Sequence, residues 1–244
     1  MKREELKILL MQIRKDARIK IQEREAFCSF SKLDETQVDI LDVFEEPEFN
    51  SEILSGYDAL YIGGTSESNV LKPDENPFLP SSYKLINFCL ENNIPVFASC
   101  FGFQMAVVAM GGEVLHQEKD FEMGTLPISL TGDAKSDLLF EDTKNEFYAV
   151  SVHKQKVTKL PDSCINLAFT DQCIHAFKVK DKPFWGFQFH PEVSRAHLVE
   201  RLGIYQSQYT DNGDHFQRVI DASVETPESA ALLTKFVDRV LLRI

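Results

Sequence analysis

The sequence predicts an α/β fold, a three-layer, doubly wound, mostly parallel sheet with an antiparallel extension. In the first half, short and nearly continuous apolar runs alternate with segments of helical spacing. That is the pattern of parallel strands covered on both faces and joined by right-handed crossover helices. Between residues 112 and 180 the apolar runs become β-like and are separated by Thr-Gly-Asp, Leu-Pro-Asp and Thr-Asp-Gln turns, as antiparallel strands are. The 244 residues, 43% of them hydrophobic, suffice for one substantial core. A single domain over residues 1–244 is therefore expected, with a helical extension at about 194–244.

The elements follow in order. Residues 6–12 read as the first buried strand, 17–32 as an amphipathic crossover helix and 38–43 as the second strand, followed by an acidic loop. Residues 57–62 form a third apolar run that stops at Gly63-Gly64. Paired glycines past a strand end let a ligand approach backbone N–H groups, although an ordinary strand-end turn also accounts for them. A Pro-rich loop leads to a helix over about 81–92. The stretch 95–112 is a short strand turning sharply into a helix, with Cys100 at the turn. Strands are expected at 126–130, 147–152, 165–169 and 174–179. The aromatic run 184–189 ends in His190-Pro191-Glu192, where Pro191 disfavours helix at His190. Helical spacing returns at 194–206 and 227–243, with a polar break at Thr210-Asp211-Asn212-Gly213-Asp214.

Composition removes several classes of function. A formal net charge of −12 argues against nucleic acid or an anionic membrane as partner, because both are bound mainly through Lys and Arg. The five cysteines (Cys28, Cys89, Cys100, Cys164, Cys173) are scattered without a C-x-x-C pair. Neither a disulfide framework nor a zinc site is suggested, no metal or other cofactor is expected, and the thiols read as reduced. The N-terminal apolar stretch is too interrupted for a signal peptide and no run approaches a membrane span, so a cytoplasmic protein is expected. No phosphate-binding glycine motif is present.

In a doubly wound sheet, ligands bind outside the carboxyl ends of the strands, where Gly63-Gly64 and Cys100 would both lie. A thiolate at a strand-to-helix turn is favoured by the helix dipole. It needs a base, and the base needs an orienting group, roles that His190 and Glu192 can fill. Alone, such a cysteine is more often a core residue and such a histidine more often structural.

Together they carry a resemblance. Ser-Cys-Phe-Gly-Phe-Gln at 99–104 resembles the G-x-C-x-G-x-Q elbow of the class I (triad-type) glutamine amidotransferases, and residues 186–192 resemble that family's G-x-Q-x-H-P-E segment. Glu122-Met123-Gly124 is similar to a family E-x-G strand entry, and residues 152–157 with Leu160-Pro161 to its S-H-x-D-x-V-x-x-[LI]-P segment. The likeness covers about residues 5–192 plus the closing helix and is nearest to stand-alone GMP-synthase-like domains.

The resemblance implies a flavodoxin-like fold and hydrolysis of the glutamine γ-amide. Cys100 would be the nucleophile, His190 the base and then acid, and Glu192 its orienting group. The backbone N–H groups of Gly64 and Phe101 would form the oxyanion hole. Gly63, Gln104, Val152 and His153 would contact the substrate, although His153 reads equally well as a packed structural histidine. His116, His175, His197 and His215 match no catalytic position and read as surface or structural residues.

Three departures stand out. Ala98 replaces a usual Gly, which places possible backbone strain there, while Val152 replaces a Ser and Gln155 an Asp. No segment resembles a fused synthetase. The expected partner is therefore a separate synthetase subunit that accepts the ammonia. A γ-glutamyl peptidase or hydrolase is the alternative, and a silent binding module the third reading.

Overall fold

A computed structural model of the chain describes residues 1–119, 121–205 and 213–244. Among these residues the main sheet has nine strands in the order β2-β1-β3-β4-β11-β10-β9-β6-β7. Strands β1 (Ile8–Gln12), β2 (Val38–Asp42), β3 (Ala59–Ile62), β4 (Val96–Ser99) and β11 (Phe184–Phe187) run parallel. Strands β10 (Ile174–Val179), β9 (Cys164–Phe169), β6 (Glu122–Leu130) and β7 (Glu146–His153) continue the sheet antiparallel. A short ribbon of β5 (Leu115–His116) and β8 (Gln155–Lys156) stands apart. The expected α/β class, parallel order and antiparallel extension are all observed.

The parallel strands form where the sequence is apolar without interruption, because both faces of the sheet are covered. Every residue of β1, β3, β4 and β11 is buried. Alternate residues feed two cores: Leu9 and Met11 pack with helices α2 (Leu79–Asn92) and α3 (Phe101–Ala109). Ile8 and Leu10 pack with α1 (Ala17–Ser31) and the C-terminal helix α6 (Pro227–Lys235), which continues as a π-helical segment over Phe236–Leu242. The Asp16 carboxylate caps α1 by accepting from the N–H groups of Arg18 and Ile19, and Lys32 closes it in the left-handed conformation.

Helix α2 begins at Leu79, earlier than the expected residue 81, because Pro80 fits a first helical turn whose N–H groups need no partner. Strand β6 begins at Glu122 rather than 126 and pairs Glu122 with His153. Strand β11 stops at Phe187, short of the expected 189. Beyond it the Gln188 N–H bonds the His175 carbonyl and the His190 N–H bonds the Val150 carbonyl, so the chain leaves β4 for the antiparallel half.

Helix α4 (Arg195–Ile204) is capped by the Ser194 hydroxyl, which accepts from the His197 N–H. The expected polar break is only partly placed. Gly213 and Asp214 open helix α5 (Gly213–Ala222), whereas Thr210, Asp211 and Asn212 lie outside the described residues, as does the His215 side chain. Phe216 and Val219 of α5 pack with Met123, Val150, Leu198 and Leu202, so this part of the C-terminal segment covers the far end of the sheet. Among the described residues no helix is long and apolar enough to cross a membrane.

Candidate active site

Three neighbouring parallel strands end at the same level. Ala98 of β4 pairs with Ile62 of β3 on one side and Gly186 of β11 on the other. Gly63-Gly64, Cys100 and Gln188-Phe189-His190 therefore leave the sheet side by side. At Cys100 the backbone reverses from strand to helix with φ 48° and ψ −98°. This conformation costs a non-glycine residue about 1–3 kcal/mol. It is held by the Cys100 N–H, which donates to the Phe187 carbonyl at 2.6 Å, and by the Gln104 N–H, which donates to the Cys100 carbonyl at 3.1 Å. The strain anticipated at Ala98 thus falls two residues later; Ala98 is an ordinary strand residue with negative φ.

His190 and Glu192, separated by Pro191, are turned toward each other: His190 Nδ1 bonds Glu192 Oε1 at 2.7 Å. Both side chains are buried, and Glu192 is 0% exposed. Burial disfavours a charged imidazole at His190, but the neighbouring Cys100 and then the Glu192 carboxylate outweigh it and push its pKa up to about 9. Burial likewise disfavours the Glu192 carboxylate, yet His190 and the buried Arg201 hold its pKa below the ordinary value.

Gly64 lies where Cys100 and His190 converge. A Cβ on Gly64 would stand 2.7 Å from His190 Cε1 and 3.3 Å from Cys100 Cβ, so only glycine lets the chain pass. Beneath this turn, Arg14 Nε donates to Glu23 Oε1 at 2.9 Å in a fully buried ion pair. Gly63 is placed differently from the substrate-contacting role read from the sequence. Its N–H donates to the Met11 carbonyl at 3.0 Å, and a side chain there would meet Glu23, not the site.

A cavity of about 300 Å³ opens beside Cys100. Cys100, Phe101, Gln104, Val152 and His153 all line it, so the structure gathers these sequence-selected residues around one space. Gln104 is held by two long contacts, its Nε2 lying 3.4 Å from the Gln155 carbonyl and 3.3 Å from Gln188 Oε1. Sequence reading missed the opposite wall, the loop 65–69 after β3, and also missed His116, Glu118 and Lys154 at the mouth. His116 and Glu118 belong to no motif, and Lys154 stands at an unspecified position of one, so none gave a signal. His116, read as lying outside the site, bonds Glu118 at 2.8 Å at the cavity's edge.

Sequence reading also missed a buried polar cluster behind the cavity wall. The Glu122 carboxylate accepts from Thr170 Oγ1 at 2.6 Å and lies 2.8 Å from His175 Nε2 and 3.0 Å from His153 Nε2. Cys173 Sγ is 3.4 Å from the same carboxylate. The four residues come from three strands and one loop, and no sequence spacing announces them.

Burial raises the thiols of Cys28 and Cys164 to about 11, Cys89 to about 12 and Cys173 further still. Cys100 opens on the cavity. A small thiol-directed electrophile at neutral pH is therefore expected to modify Cys100 first. Peptide mass spectrometry checks this, and faster modification of any of the other four would overturn it.

Comparison with known proteins places this geometry. The family model of class I glutamine amidotransferases matches residues 31–199. One subunit of the glutamine-hydrolyzing GMP synthase of Methanocaldococcus jannaschii is 35% identical over 119 residues, covering 48% of this chain and 61% of that protein. A gamma-glutamyl-L-1-hydroxyisopropylamide hydrolase from Pseudomonas sp. is 31% identical over 153 residues, covering 58% of this chain and 49% of that one. The chain spans between 20% and 61% of the length of the GMP synthases it matches. A glutamine amidotransferase structure from Thermotoga maritima shares the fold with a TM-score of 0.77 over 97% of this chain and 98% of that one, at 18% identity. With the matched region spanning the elbow, the cavity walls and the His-Pro-Glu turn, the chain belongs to the class I glutamine amidotransferase family.

Proposed function

We propose that the chain hydrolyses the γ-amide of glutamine, giving glutamate and ammonia, and that the ammonia passes to a separate acceptor enzyme. The observation that carries this reading is the convergence of Cys100, the His190–Glu192 pair and Gly64 at one turn, with Cys100 opening on the cavity. With His190 raised to about 9, its ring is an imidazolium near neutral pH, and the Cys100 sulfur reacts beside it as the thiolate. The thiolate attacks the γ-carbonyl carbon, and the carbonyl π electrons move onto oxygen. The backbone N–H groups of Gly64 and Phe101 meet that oxyanion. As it collapses, the C–N bond breaks and the imidazolium proton goes to the departing nitrogen, leaving a γ-glutamyl thioester, ammonia and neutral His190. Water then gives a proton to His190 and attacks the thioester. Glutamate leaves and the ion pair is restored. Glu192 keeps the proton of Nδ1 in place throughout, so that Nε2 exchanges protons with the reacting groups.

The cavity lining mixes charges, with Lys72 paired to Glu75 and Lys154 to Glu118, which suits the zwitterionic end of an α-amino acid. Gln104 and the backbone at Val152 and His153 position that end.

The second reading, a γ-glutamyl amide hydrolase without an acceptor enzyme, is favoured by the similarity to the Pseudomonas hydrolase and by Gln155 standing where the amidotransferase motif has Asp. The two readings separate in one assay, with the purified chain given glutamine and a panel of N-substituted γ-glutamyl amides. Expected is equimolar release of glutamate and ammonia from glutamine. A tenfold or greater preference for substituted amides would transfer the assignment to the hydrolase, and hydrolysis of none would sink both.

A further inference from the structure

We infer that Glu122, His153, Cys173 and His175 form a zinc site, separate from the reacting cysteine and behind the wall of its cavity. Their ligand atoms all lie within 4.8 Å of one another, and all four residues are buried. The pairs around the cluster measure 2.8 Å (His175 Nε2 to Glu122 Oε2), 3.0 Å (His153 Nε2 to Glu122 Oε2), 3.4 Å (Cys173 Sγ to Glu122 Oε2) and 3.5 Å (Cys173 Sγ to His175 Nε2). Zinc binds nitrogen and oxygen at about 2.0–2.2 Å and sulfur at about 2.3 Å, so the corners of its tetrahedron stand roughly 3.3–3.6 Å apart. The two sulfur distances given already match, the two carboxylate–imidazole distances need to open by about half an ångström, and the remaining pairs, within 4.8 Å, need to close onto the ion.

The second observation is His153 itself. The residue is 6% exposed, and its Nε2, 3.0 Å from Glu122 Oε2, is a buried nitrogen with no hydrogen-bond partner. A cation shared with the Glu122 carboxylate would give that nitrogen a partner. Thr170 Oγ1, 2.6 Å from the other carboxylate oxygen, orients Glu122 as a one-oxygen ligand.

Two imidazoles, a thiolate and a carboxylate form a borderline-soft set suited to zinc. On binding, the Cys173 thiol loses its proton to solvent, and the ion is held by four protein groups with no position left for a substrate, as in structural sites. Such an ion would tie the start of β6, the end of β7 and the turn before β10 together. His153, which also lines the cavity, offers the ion its way in.

The test uses the full chain carrying Cys100→Ala, so that no thiolate at the active-site turn contributes. The chelator-treated protein is titrated with Co²⁺ and followed by absorption, then back-titrated with Zn²⁺. Expected is one equivalent of Co²⁺ with the visible bands of a tetrahedral ion and a thiolate-to-cobalt charge-transfer band, both removed by Zn²⁺. In the same background Cys173→Ser should abolish the charge-transfer band. It should also weaken zinc binding by more than the roughly 10–100-fold that losing a supporting partner costs. Cys173→Ala serves as a second variant should the serine form not fold. A folded Cys100→Ala chain without a tetrahedral thiolate spectrum would overturn the site, and so would a spectrum that survives both Cys173 substitutions.

Discussion

Cys100→Ala is expected to lower glutamine hydrolysis by on the order of 10⁵-fold or more, the scale of loss when the nucleophile of a triad is removed. No other cysteine can take over: Cys28, Cys89, Cys164 and Cys173 are all buried and their thiols raised. The fold should survive, since alanine keeps the Cβ and the turn is held by backbone bonds to Phe187 and Gln104. Alanine also keeps the strained positive φ. Cys100→Gly, equally inactive, should be the more stable of the two by about 1 kcal/mol, because glycine adopts such a conformation without the Cβ penalty. Ammonia release and thermal melts of the two variants check both statements. Activity within tenfold of the parent would remove Cys100 from the mechanism, and a less stable glycine variant would remove the strain.

Glu192→Gln should cost on the order of 10⁴-fold, with little change in substrate binding. The carboxylate accepts the Nδ1 proton of His190 at 2.7 Å from a fully buried position. A glutamine presenting its amide N–H₂ to Nδ1 forces the proton onto Nε2, where the reaction needs a lone pair. One presenting its carbonyl keeps the tautomer but loses the negative charge beside the ring. The charge also sets the pH dependence. His190 is raised to about 9, so its contribution to stability is full below its unfolded value near 6.5 and is lost as pH rises through about 9. Glu192 is lowered, so its contribution is present above about 4.5 and is lost as pH falls through its folded value. Removing the carboxylate takes away one of the influences holding His190 up. The alkaline limb of kcat/KM should therefore move to lower pH in the variant. An unmoved limb would mean that Glu192 does not set the charge of His190.

Much of this was legible in the sequence because the physics is local. Residues 6–12, 57–62 and 95–99 announced buried strands by unbroken apolar runs, and the Cys100 turn and His190-Pro191-Glu192 are contiguous. What failed depended on distant partners. Gly213-Asp214 looked like a break, yet helix α5 follows there because Phe216 and Val219 find an apolar surface made by Met123 and Val150. Gly63 looked like half of a ligand-binding turn, but its N–H is spent on β1. Glu122, His153, Cys173 and His175 are brought together only by strand register, which pairs Glu122 with His153.

The pairing of β4 with β11 joins Val96–Ser99 to Phe184–Phe187, stretches far apart in the chain. The last contact of that ladder is the bond from the Cys100 N–H to Phe187. Such long-range parallel pairing closes a large loop and comes late in folding. The reactive turn is thus locked by the same bond that joins the two halves of the sheet. A nascent chain lacking its final quarter would carry Cys100 on an unfinished edge, without His190 or Glu192, and could not acquire catalytic power ahead of its complete fold.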